Sequence, residues 1–579
     1  MNIVGDLLKI YAERSPQKVT FYYGADRKET WKEVNDRVNS LANALYDLGI
    51  RKGDKGIVMF HDCPEFIEST CALQKIGAIP SPMNYRFVSR EIEYQTNNSD
   101  SKVFLTEDLW LENVKKAKPK MPKVENYIVL NNPEEELLDY ESLIREYPSK
   151  EPPEVEVTWD DTAAIVYTGG TTGMPKGTVH TWSEFPPHLE GLLGAALKSL
   201  PQMRIPIGGD FTNNLLHRPL VGKFLADPGI HKIITNRILP MLRGRIPLEV
   251  KIVSNFPLFH MAFFGAGIES GWLLTGLVTF CWIKNPKFDP IETMELVDKL
   301  KPVALAMVPA QWYRLLEIPG IDKYDKSSLL LLGTGAGINP KKLKERMFKI
   351  FPNTMMGDGF GQTELAPVGT IRLDSSAQID KIVDRSVGIP LTTVETKIVD
   401  DRGNIITKAE EIGELLYRSP TVMKEYYKDA KKTKEAITSD GWFHSEDLAY
   451  LDEAGEFHIV DRKGEVINVG GEKVFPHEVE EILESNPKVL YACLLGVPDE
   501  MYGKIPVGMI NLREGEQATE EEMIDFCRDK MSGIKRPRFC VFVDEFPINP
   551  AGKVLRREVE EKFKGEIKEG YGRWKKKRK

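Results

Sequence analysis

Short apolar runs alternate with amphipathic helical stretches along most of the chain, and no internal repeat or low-complexity tract interrupts them. This alternation is typical of layered α/β structure. Residues 163–167 form one such apolar run and predict a strand. A polar, glycine-rich loop follows. Apolar residues between Leu189 and Leu200 then recur at helical spacing, which predicts a helix with one apolar face.

The most membrane-like segment is residues 256–283, which contains His260 and Glu269 in its first half. Its charge-free part, residues 272–283, is too short to span a bilayer. We therefore expect a buried helix that leads into a core strand, and no transmembrane segment.

The pattern changes near residue 450. Residues 448–451, 456–460, 489–497 and 507–512 predict strands, and Pro476 opens a predicted helix. The sequence therefore predicts a small α+β C-terminal domain, residues 462–579, after a large N-terminal region, residues 1–461. Within that region, residues 201–248 are rich in Pro, Gly, Arg and His and have little periodicity, so they are a candidate insertion, lid or surface excursion.

The composition fits an ordinary globular protein of 579 residues, a length that corresponds to about four domain-sized units. It excludes a wholly disordered, collagen-like or coiled-coil chain. The net charge of −8 argues against a nucleic-acid partner, because non-specific binding of nucleic acid requires a basic surface. The last five residues are all basic, which predicts a solvated tail, with weak contact to anionic lipid as the alternative.

The six cysteines are scattered and include no CxxC pair, so neither a disulfide framework nor a zinc site is expected. Reduced thiols in a cytoplasmic protein are the expected state. Residues 1–13 carry Asp6 and Glu13 around a short apolar stretch, a pattern unlike a signal peptide.

The strongest chemical signal is the glycine-rich loop after the strand predicted at residues 163–167. Its glycines allow backbone N–H groups to approach an anion, its threonines add hydroxyl donors, and Lys176 supplies a cation. The alternatives are a phosphate-binding loop, which we favour, and a plain surface turn. It is not a Walker A loop, because Gly173 is followed by Met174 and Pro175. The residues assigned to phosphate binding are Thr168, Gly169, Gly170, Thr171, Thr172, Gly173 and Lys176.

This loop resembles the phosphate-binding signature of the adenylate-forming superfamily, which contains acyl-CoA synthetases, peptide-synthetase adenylation domains and beetle luciferases. Gly169 stands where the family most often has Ser. Matching motifs follow in the family's order from residues 84–86 to Lys553. The resemblance implies an α/β fold with a large N-terminal region of packed α/β subdomains, a small β-barrel-like lobe, and a small mobile α+β C-terminal domain with its hinge near Gly464.

The resemblance also implies the roles of further residues. Glu364 would bind Mg²⁺, Thr363 would donate to the α-phosphate, and Lys553 would neutralise charge during adenylation, so these three are the expected catalytic residues. The remaining residues implied for nucleotide binding are Gly335, Ala336, Gly337, Asp358, Gly359, Phe360, Gly361, Gln362, Asp447 and Arg462. Besides Gly169, two further positions depart from the family, Glu446 where a glycine is usual and Gly464 where Asp or Lys is usual.

Four residues are expected near the acid or coenzyme A, namely His260, Gly361, Gly471 and Lys473. Acetyl-specific relatives carry a tryptophan at the position of Gly361, so the resemblance implies an acid larger than acetate or propionate. Residues 259–267 contain no carboxylate to hold an ammonium group, which argues against an α-amino acid. Phenylalanines and a methionine around His260 favour a medium-chain or long-chain, branched or alicyclic acid.

The expected function is therefore that of an ATP-dependent and Mg²⁺-dependent acid–CoA ligase that acts through acyl-AMP, with ATP, coenzyme A and a carboxylic acid as partners. Three alternatives remain: a ligase that loads a carrier protein, a luciferase-like oxygenase, and a non-catalytic AMP-binding paralogue. The expected assembly is a monomer or a homodimer.

Overall fold

The computed structural model describes the chain except for residues 132–133, 135, 169–174, 205–215, 247–248, 338, 549–553 and 579. The chain divides into two compact units. The first comprises Met1–Thr396 and Tyr417–Phe443, and the second comprises Lys397–Leu416 and His444–Lys579. The domain boundary predicted after Asp461 and the hinge predicted near Gly464 stay predictions.

One sheet of the first unit is parallel and five-stranded, and helices connect its first four strands in chain order, which is the βαβ rhythm of the sequence. The strand order is Ile79–Pro82, Lys55–Met59, Ser101–Glu107, Asn126–Leu130 and Leu138–Asp139.

A longer sheet in the same unit holds the glycine-rich segments of the central sequence. Its strand order is Ser386–Pro390, Val368–Ser375, Met355–Gly361, Leu331–Gly335, Ala304–Ala306, Val250–Ser254, Val278–Trp282, Val19–Tyr23 and Arg27–Thr30. Neighbouring strands run parallel from Met355–Gly361 to Val19–Tyr23. In such sheets ligands bind at the carboxyl ends of the strands. In this sheet, two glycine-rich strands, Leu331–Gly335 and Met355–Gly361, end side by side.

A third, antiparallel sheet contains the strand predicted at residues 163–167, which the structure places at Thr162–Thr168. It pairs with Lys176–Thr181, and that strand pairs with Glu425–Tyr426. The predicted amphipathic helix is Phe185–Ser199, and the membrane-like segment folds into the π-helix Phe264–Leu273 followed by the core strand Val278–Trp282.

Most helices of the first unit cover these sheets with their apolar faces. The α-helices are Ile3–Arg14, Trp31–Asp47, Pro64–Lys75, Ser89–Ser99, Leu111–Ala117, Tyr140–Glu146, Phe185–Ser199, Pro219–Ala226, Pro228–Ile233, Leu239–Leu242, Met261–Phe263, Pro290–Leu300, Pro309–Leu315, Lys341–Ile350 and Ala430–Ala436. The described part of the candidate insertion therefore contains short helices, which its weak periodicity did not indicate.

The second unit has two groups of strands. One group has the order Ile405–Ile406, Glu395–Val399, Gly413–Arg418, Phe443–Leu451 and Phe457–Arg462, although a few residues at the strand ends belong to the first unit. The other has the order Glu472–Val474, Ile467–Val469, Gly503–Leu512 and Val489–Asp499, with Cys540–Phe542 beside Gly503–Leu512. The α-helices of the second unit are Pro476–Glu484, Glu520–Phe526, Arg556–Lys562 and Lys564–Arg578.

The basic C-terminal residues continue the helix Lys564–Arg578, whereas the sequence predicted a solvated tail. Lys575 Nζ lies 3.1 Å from Glu500 Oε2, and Lys577 Nζ lies 2.7 Å from Glu521 Oε1. These exposed ion pairs contribute little to stability, but they place part of the basic charge beside acidic residues of the same unit.

Within the described residues, no helix has both the length and the apolar character needed to cross a bilayer. All six cysteines are free and buried.

Buried ion pairs hold the segment that follows residues 549–553. Arg556 Nη2 donates to Glu480 Oε2 at 2.9 Å, and Arg556 Nε lies 2.8 Å from Glu465 Oε2. Burial alone would raise the pKa of Glu480, but the Arg556 guanidinium lowers it to about 2. A depressed carboxyl pKa stabilises the folded state above the unfolded pKa, and this contribution is lost as the pH falls towards the folded pKa.

We therefore expect Glu480→Gln to lower the free energy of unfolding of the second unit by about 3 kcal/mol at pH 7. The difference in the free energy of unfolding between variant and wild type should shrink below pH 4.5 and fall to roughly half at pH 3. It shrinks because protonation of Glu480 removes the stabilisation that its charged form gives the wild type. Urea titrations at pH 7 and pH 3, followed by hydrogen exchange of residues 476–512, measure this loss of stability. The exposed Glu560→Gln is the control, and an equal loss at both pH values would contradict the assignment.

Candidate active site

The glycine-rich loop joins two strands whose ends are paired. Thr168 lies opposite Lys176 in the antiparallel ladder between Thr162–Thr168 and Lys176–Thr181. The predicted phosphate-binding residues Gly169, Gly170, Thr171, Thr172 and Gly173 lie outside the described residues. The structure thus places the two ends of the loop, and with them the predicted phosphate-binding lysine.

Tyr426 connects Lys176 to Glu364. The Lys176 ammonium lies over the Tyr426 ring, 4.6 Å from the ring centroid, and the Tyr426 hydroxyl donates to Glu364 Oε1 at 2.8 Å. Tyr426 is held opposite Thr178 by the short strand Glu425–Tyr426. The structure therefore brings together the residue predicted to bind phosphate and the residue predicted to bind Mg²⁺.

Glu364 is a buried carboxylate in the 3₁₀ turn Thr363–Leu365, directly after the strand that ends at Gly361. Burying a carboxylate is costly unless it is hydrogen-bonded or binds a cation, and Tyr426 supplies one bond. A carboxylate beside a lysine suits Mg²⁺ with polyphosphate, since Mg²⁺ prefers a carboxylate plus phosphate oxygens. Gln362 starts this turn, with its carbonyl accepting from the Leu365 N–H at 3.0 Å, so Thr363 and Glu364 follow the strand end together.

The predicted adenine-lining residues lie at the adjacent ends of two parallel strands. Gly335 pairs with Gly359 across Leu331–Gly335 and Met355–Gly361. A Cβ added at Gly335 would lie 2.7 Å from Gly359 O, so a side chain there would push the strands apart. The backbone turns after Gly335, where Ala336 has a φ of +61°. Residues 333–335 belong to the strand Leu331–Gly335.

Asp358 is buried, and its carboxylate bonds to other residues of the protein. Asn339 Nδ2 donates to Asp358 Oδ1 at 2.8 Å, and Lys344 Nζ lies 2.9 Å from Asp358 Oδ2. Thr334 Oγ1 donates in turn to Asn339 Oδ1 at 2.8 Å. Burial opposes the charge of Lys344, but Asp358 and Asp374 outweigh it and raise the pKa of Lys344. Asp358 therefore ties the two glycine-rich strand ends together through its own hydrogen bonds.

Gly361 lies against the backbone of a neighbouring strand segment. A Cβ at this position would lie 2.7 Å from Gly369 N and would also press on Pro367 O in the neighbouring strand segment. In this structure the neighbouring backbone leaves no room for a side chain at Gly361, and the inference from Gly361 about the size of the acid stays a prediction. Phe360, one residue earlier, is half-buried at the same strand end.

His260 caps the short helix Met261–Phe263, with its Nδ1 accepting from the Ala262 N–H at 3.2 Å. Burial lowers the pKa of His260 to about 4, so the imidazole is neutral at physiological pH. An acceptor at Nδ1 leaves the proton on Nε2. This agrees with a positioning role near the acid and gives no support to acid–base chemistry.

In the second unit, the two predicted ribose-binding residues form an ion pair. Asp447 lies opposite Arg462 in the ladder, and Arg462 Nε lies 2.8 Å from Asp447 Oδ1. Glu446, where relatives usually have glycine, has a φ of +60°. Because that conformation disfavours a side chain, the preference for glycine at this position follows from the backbone.

The remaining second-unit residues lie in turns or on the surface. Gly464 has open space where a Cβ would lie, so the aspartate or lysine of relatives would fit there without a clash. Gly471 has a φ of +94° in the turn between Ile467–Val469 and Glu472–Val474. Lys473 Nζ lies 3.1 Å from Asp401 Oδ2. The hinge and coenzyme A roles assigned to these three residues stay predictions.

Lys553 lies outside the described residues, together with residues 549–552. The residues on either side are described, and Ile548 forms a β-bridge with Val554. The Leu555 N–H donates to Pro547 O at 2.9 Å. The described residues on either side of 549–553 are therefore paired with each other, and Arg556 forms its ion pairs three residues after Lys553.

Two family models match most of the chain. The family model for AMP-binding enzymes matches residues 8–187 and 231–427, and the model for the AMP-binding enzyme C-terminal domain matches residues 478–553. 4-Coumarate–CoA ligase 1 of Petroselinum crispum is 28% identical over 530 residues, which cover 92% of this chain and 88% of the relative.

Two solved structures share the fold. The anthranilate CoA ligase AuaEII in complex with anthranoyl-AMP has a TM-score of 0.77 at 22% identity and covers 96% of both chains. The o-succinylbenzoate coenzyme A synthetase of Bacillus subtilis with ATP and a magnesium ion has a TM-score of 0.73 at 22% identity, covering 96% of this chain and 99% of its own. The predicted α/β fold class, with a large N-terminal and a small C-terminal domain, is confirmed.

We expect Tyr426→Phe to lower kcat/KM for ATP about tenfold and to raise the Mg²⁺ concentration needed for half-maximal rate, because Glu364 loses the donor that orients it. Steady-state kinetics over a Mg²⁺ series measure both quantities. The control is Tyr427→Phe, which removes the neighbouring hydroxyl's hydrogen bond of 2.9 Å to Asp100 Oδ2. A Tyr426→Phe enzyme with wild-type Mg²⁺ dependence would refute the positioning role.

Proposed function

Because the chain belongs to the AMP-binding enzyme family, as its motifs predicted, we propose that it is an AMP-forming acid–CoA ligase that uses ATP, Mg²⁺ and coenzyme A. The observation that carries the proposal is the arrangement of Lys176, Tyr426 and Glu364 at the end of the phosphate-binding hairpin. In the second unit, the ion pair between Asp447 and Arg462 supports it.

The chemistry explains why these residue types are needed. A carboxylate is a poor electrophile, so its oxygen attacks the α-phosphorus of ATP, the bond to the β-phosphate oxygen breaks, and acyl-AMP and pyrophosphate form. Such a transfer depends mainly on positioning and on neutralising charge. Lys176 neutralises phosphate charge, and Glu364 provides a carboxylate ligand for Mg²⁺, which neutralises further charge when bound. The thiol of coenzyme A then attacks the acyl carbon, and AMP leaves.

The identity of the acid is a finer proposal. We propose a carboxylic acid larger than propionate, of a medium-chain or long-chain, branched, alicyclic or aromatic class. Met261, Phe263 and Phe264 are buried next to His260, and residues 259–267 include no carboxylate that would bind an ammonium group. The aromatic class joins the other classes because relatives are named for 4-coumarate and anthranilate.

A panel of acids tests the function directly. We expect pyrophosphate release that depends on the acid, that is negligible with acetate, and that yields an acyl-CoA thioester when coenzyme A is present. Parallel reactions with a pantetheinylated carrier protein distinguish a carrier-loading ligase. A thioester on the carrier alone, steady turnover with acetate alone, or no turnover with any acid would each contradict the proposal.

Lys553 provides a second test, because its proposed role is limited to the adenylation step. We expect Lys553→Ala to lose acid-dependent pyrophosphate release by about a hundredfold or more, since a cation that stabilises transition-state charge is gone. Supplied acyl-AMP should still react with coenzyme A at nearly the wild-type rate. Lys568→Ala, which removes an exposed lysine of the C-terminal helix, is the control. An equal loss in both half-reactions would contradict the proposed separation of roles.

A further inference from the structure

Residues 216–246, here called the 216–246 surface, belong to the stretch that the sequence marked as a candidate insertion. They contain the helices Pro219–Ala226, Pro228–Ile233 and Leu239–Leu242 and the π-helical turn Ile234–Ile238. The AMP-binding family model leaves residues 188–230 unmatched. Much of this surface is therefore additional to the family's shared core, and the catalytic roles discussed above do not use it.

One side of the surface is anchored to the protein. His231 and Thr235 are buried, and within the surface itself His231 Nε2 lies 2.7 Å from Leu225 O, which links two of its helices. Arg243 Nε donates to Leu274 O at 2.8 Å. A surface fixed in this way can hold its outward side chains in position.

The other side exposes large apolar side chains. Leu220 is 81% exposed, and Phe224 and Met241 are each 57% exposed, with Ile233 and Ile238 also exposed. Leu220 and Phe224 are four residues apart on one helix and therefore lie on the same face. Isolated exposed apolar residues need no explanation, but five within one short stretch mark an interaction site.

The same stretch is strongly basic. Residues 216–246 contain six Arg and Lys residues and one acid, Asp227, so they carry a net charge of +5 and the rest of the chain carries −13. Asp227 caps the next helix by accepting from the Gly229 N–H at 2.7 Å. The exposed basic residues are Arg218, Lys223, Lys232, Arg237 and Arg245.

Basic and apolar residues alternate instead of segregating. Lys223 precedes Phe224, Lys232 precedes Ile233, and Arg237 precedes Ile238. A protein-binding patch usually has an apolar centre with a polar rim. Basic and apolar side chains that are direct neighbours suit the interface of a bilayer. There, apolar side chains enter the acyl region and long cationic side chains reach the lipid phosphates.

We propose that the 216–246 surface docks this protein reversibly onto an anionic lipid bilayer. The contact combines burial of exposed apolar side chains with attraction between the +5 charge and the lipid phosphates. It differs from the basic C-terminus, where Lys575 and Lys577 already have acidic partners. The docking is independent of the proposed ligase activity, and it would bring the enzyme to acids that dissolve in lipid.

Sedimentation of the full-length protein with vesicles tests this directly. We expect binding to vesicles of phosphatidylcholine mixed with phosphatidylglycerol, weaker binding to phosphatidylcholine alone, and loss of binding at high ionic strength. The variant Leu220→Ser/Phe224→Ser should bind at least about tenfold more weakly. Lys223→Glu/Lys232→Glu should lose at least about fivefold for each charge that is reversed.

Matched controls test whether any loss of vesicle binding is specific to the 216–246 surface or follows from changing any exposed side chain. Ile405→Ser removes a side chain that is 63% exposed in the second unit, and Lys431→Glu reverses a charge on a side chain that is 87% exposed. Both should bind vesicles as the wild type does. All variants should keep the wild-type rate with a water-soluble acid, which reports that they fold.

Four results would overturn the proposal. They are an absence of binding to the anionic vesicles, unchanged binding by the 216–246 variants, loss of binding in Lys575→Glu/Lys577→Glu instead, and a concentration-dependent dimer that Leu220→Ser/Phe224→Ser abolishes. The last result would assign the surface to a second copy of the chain.

Discussion

The buried carboxylate of Glu364 imposes the constraint around which the first unit's site is built. A carboxylate withdrawn from water needs a donor or a cation, and the Tyr426 hydroxyl meets that need at 2.8 Å. Tyr426 can do so because a short strand pairs it with the same hairpin that carries Lys176. One tyrosine thus sets the carboxylate predicted to bind Mg²⁺ and the lysine predicted to bind phosphate relative to each other. Such preorganisation reduces the reorganisation needed during catalysis.

A second constraint is the close approach of glycine-rich strands. The pairing of Gly335 with Gly359 leaves no room for a side chain, and the buried bonds of Asp358 to Asn339 and Lys344 hold the two strand ends together. Glycine at position 335 is therefore a requirement of packing, whereas a Cβ at Gly359 would make only an ordinary contact with Val368. The same reasoning applies to Gly361, where the neighbouring strand segment accounts for the missing side chain.

Local patterns predicted much of the fold. The strand Thr162–Thr168, the helix Phe185–Ser199 and the helix that starts at Pro476 follow from periodicity and proline position, and the ordered motifs indicated Lys176, Glu364, Asp447 and Arg462. Tyr426 was missed because nothing in the sequence distinguishes it from the adjacent Tyr427, and its hydrogen bond is to a partner 62 positions away. The clash at Gly361 and the partners of Asp358 also depend on strand pairing, which no local pattern shows.

The central claim is that this chain activates an acid as an adenylate before any thiol takes part. Exchange of labelled pyrophosphate into ATP measures that step alone. The account predicts exchange that requires Mg²⁺ and an acid larger than propionate and that proceeds without coenzyme A. Exchange that requires coenzyme A, or no exchange with any acid that supports thioester formation, would contradict it.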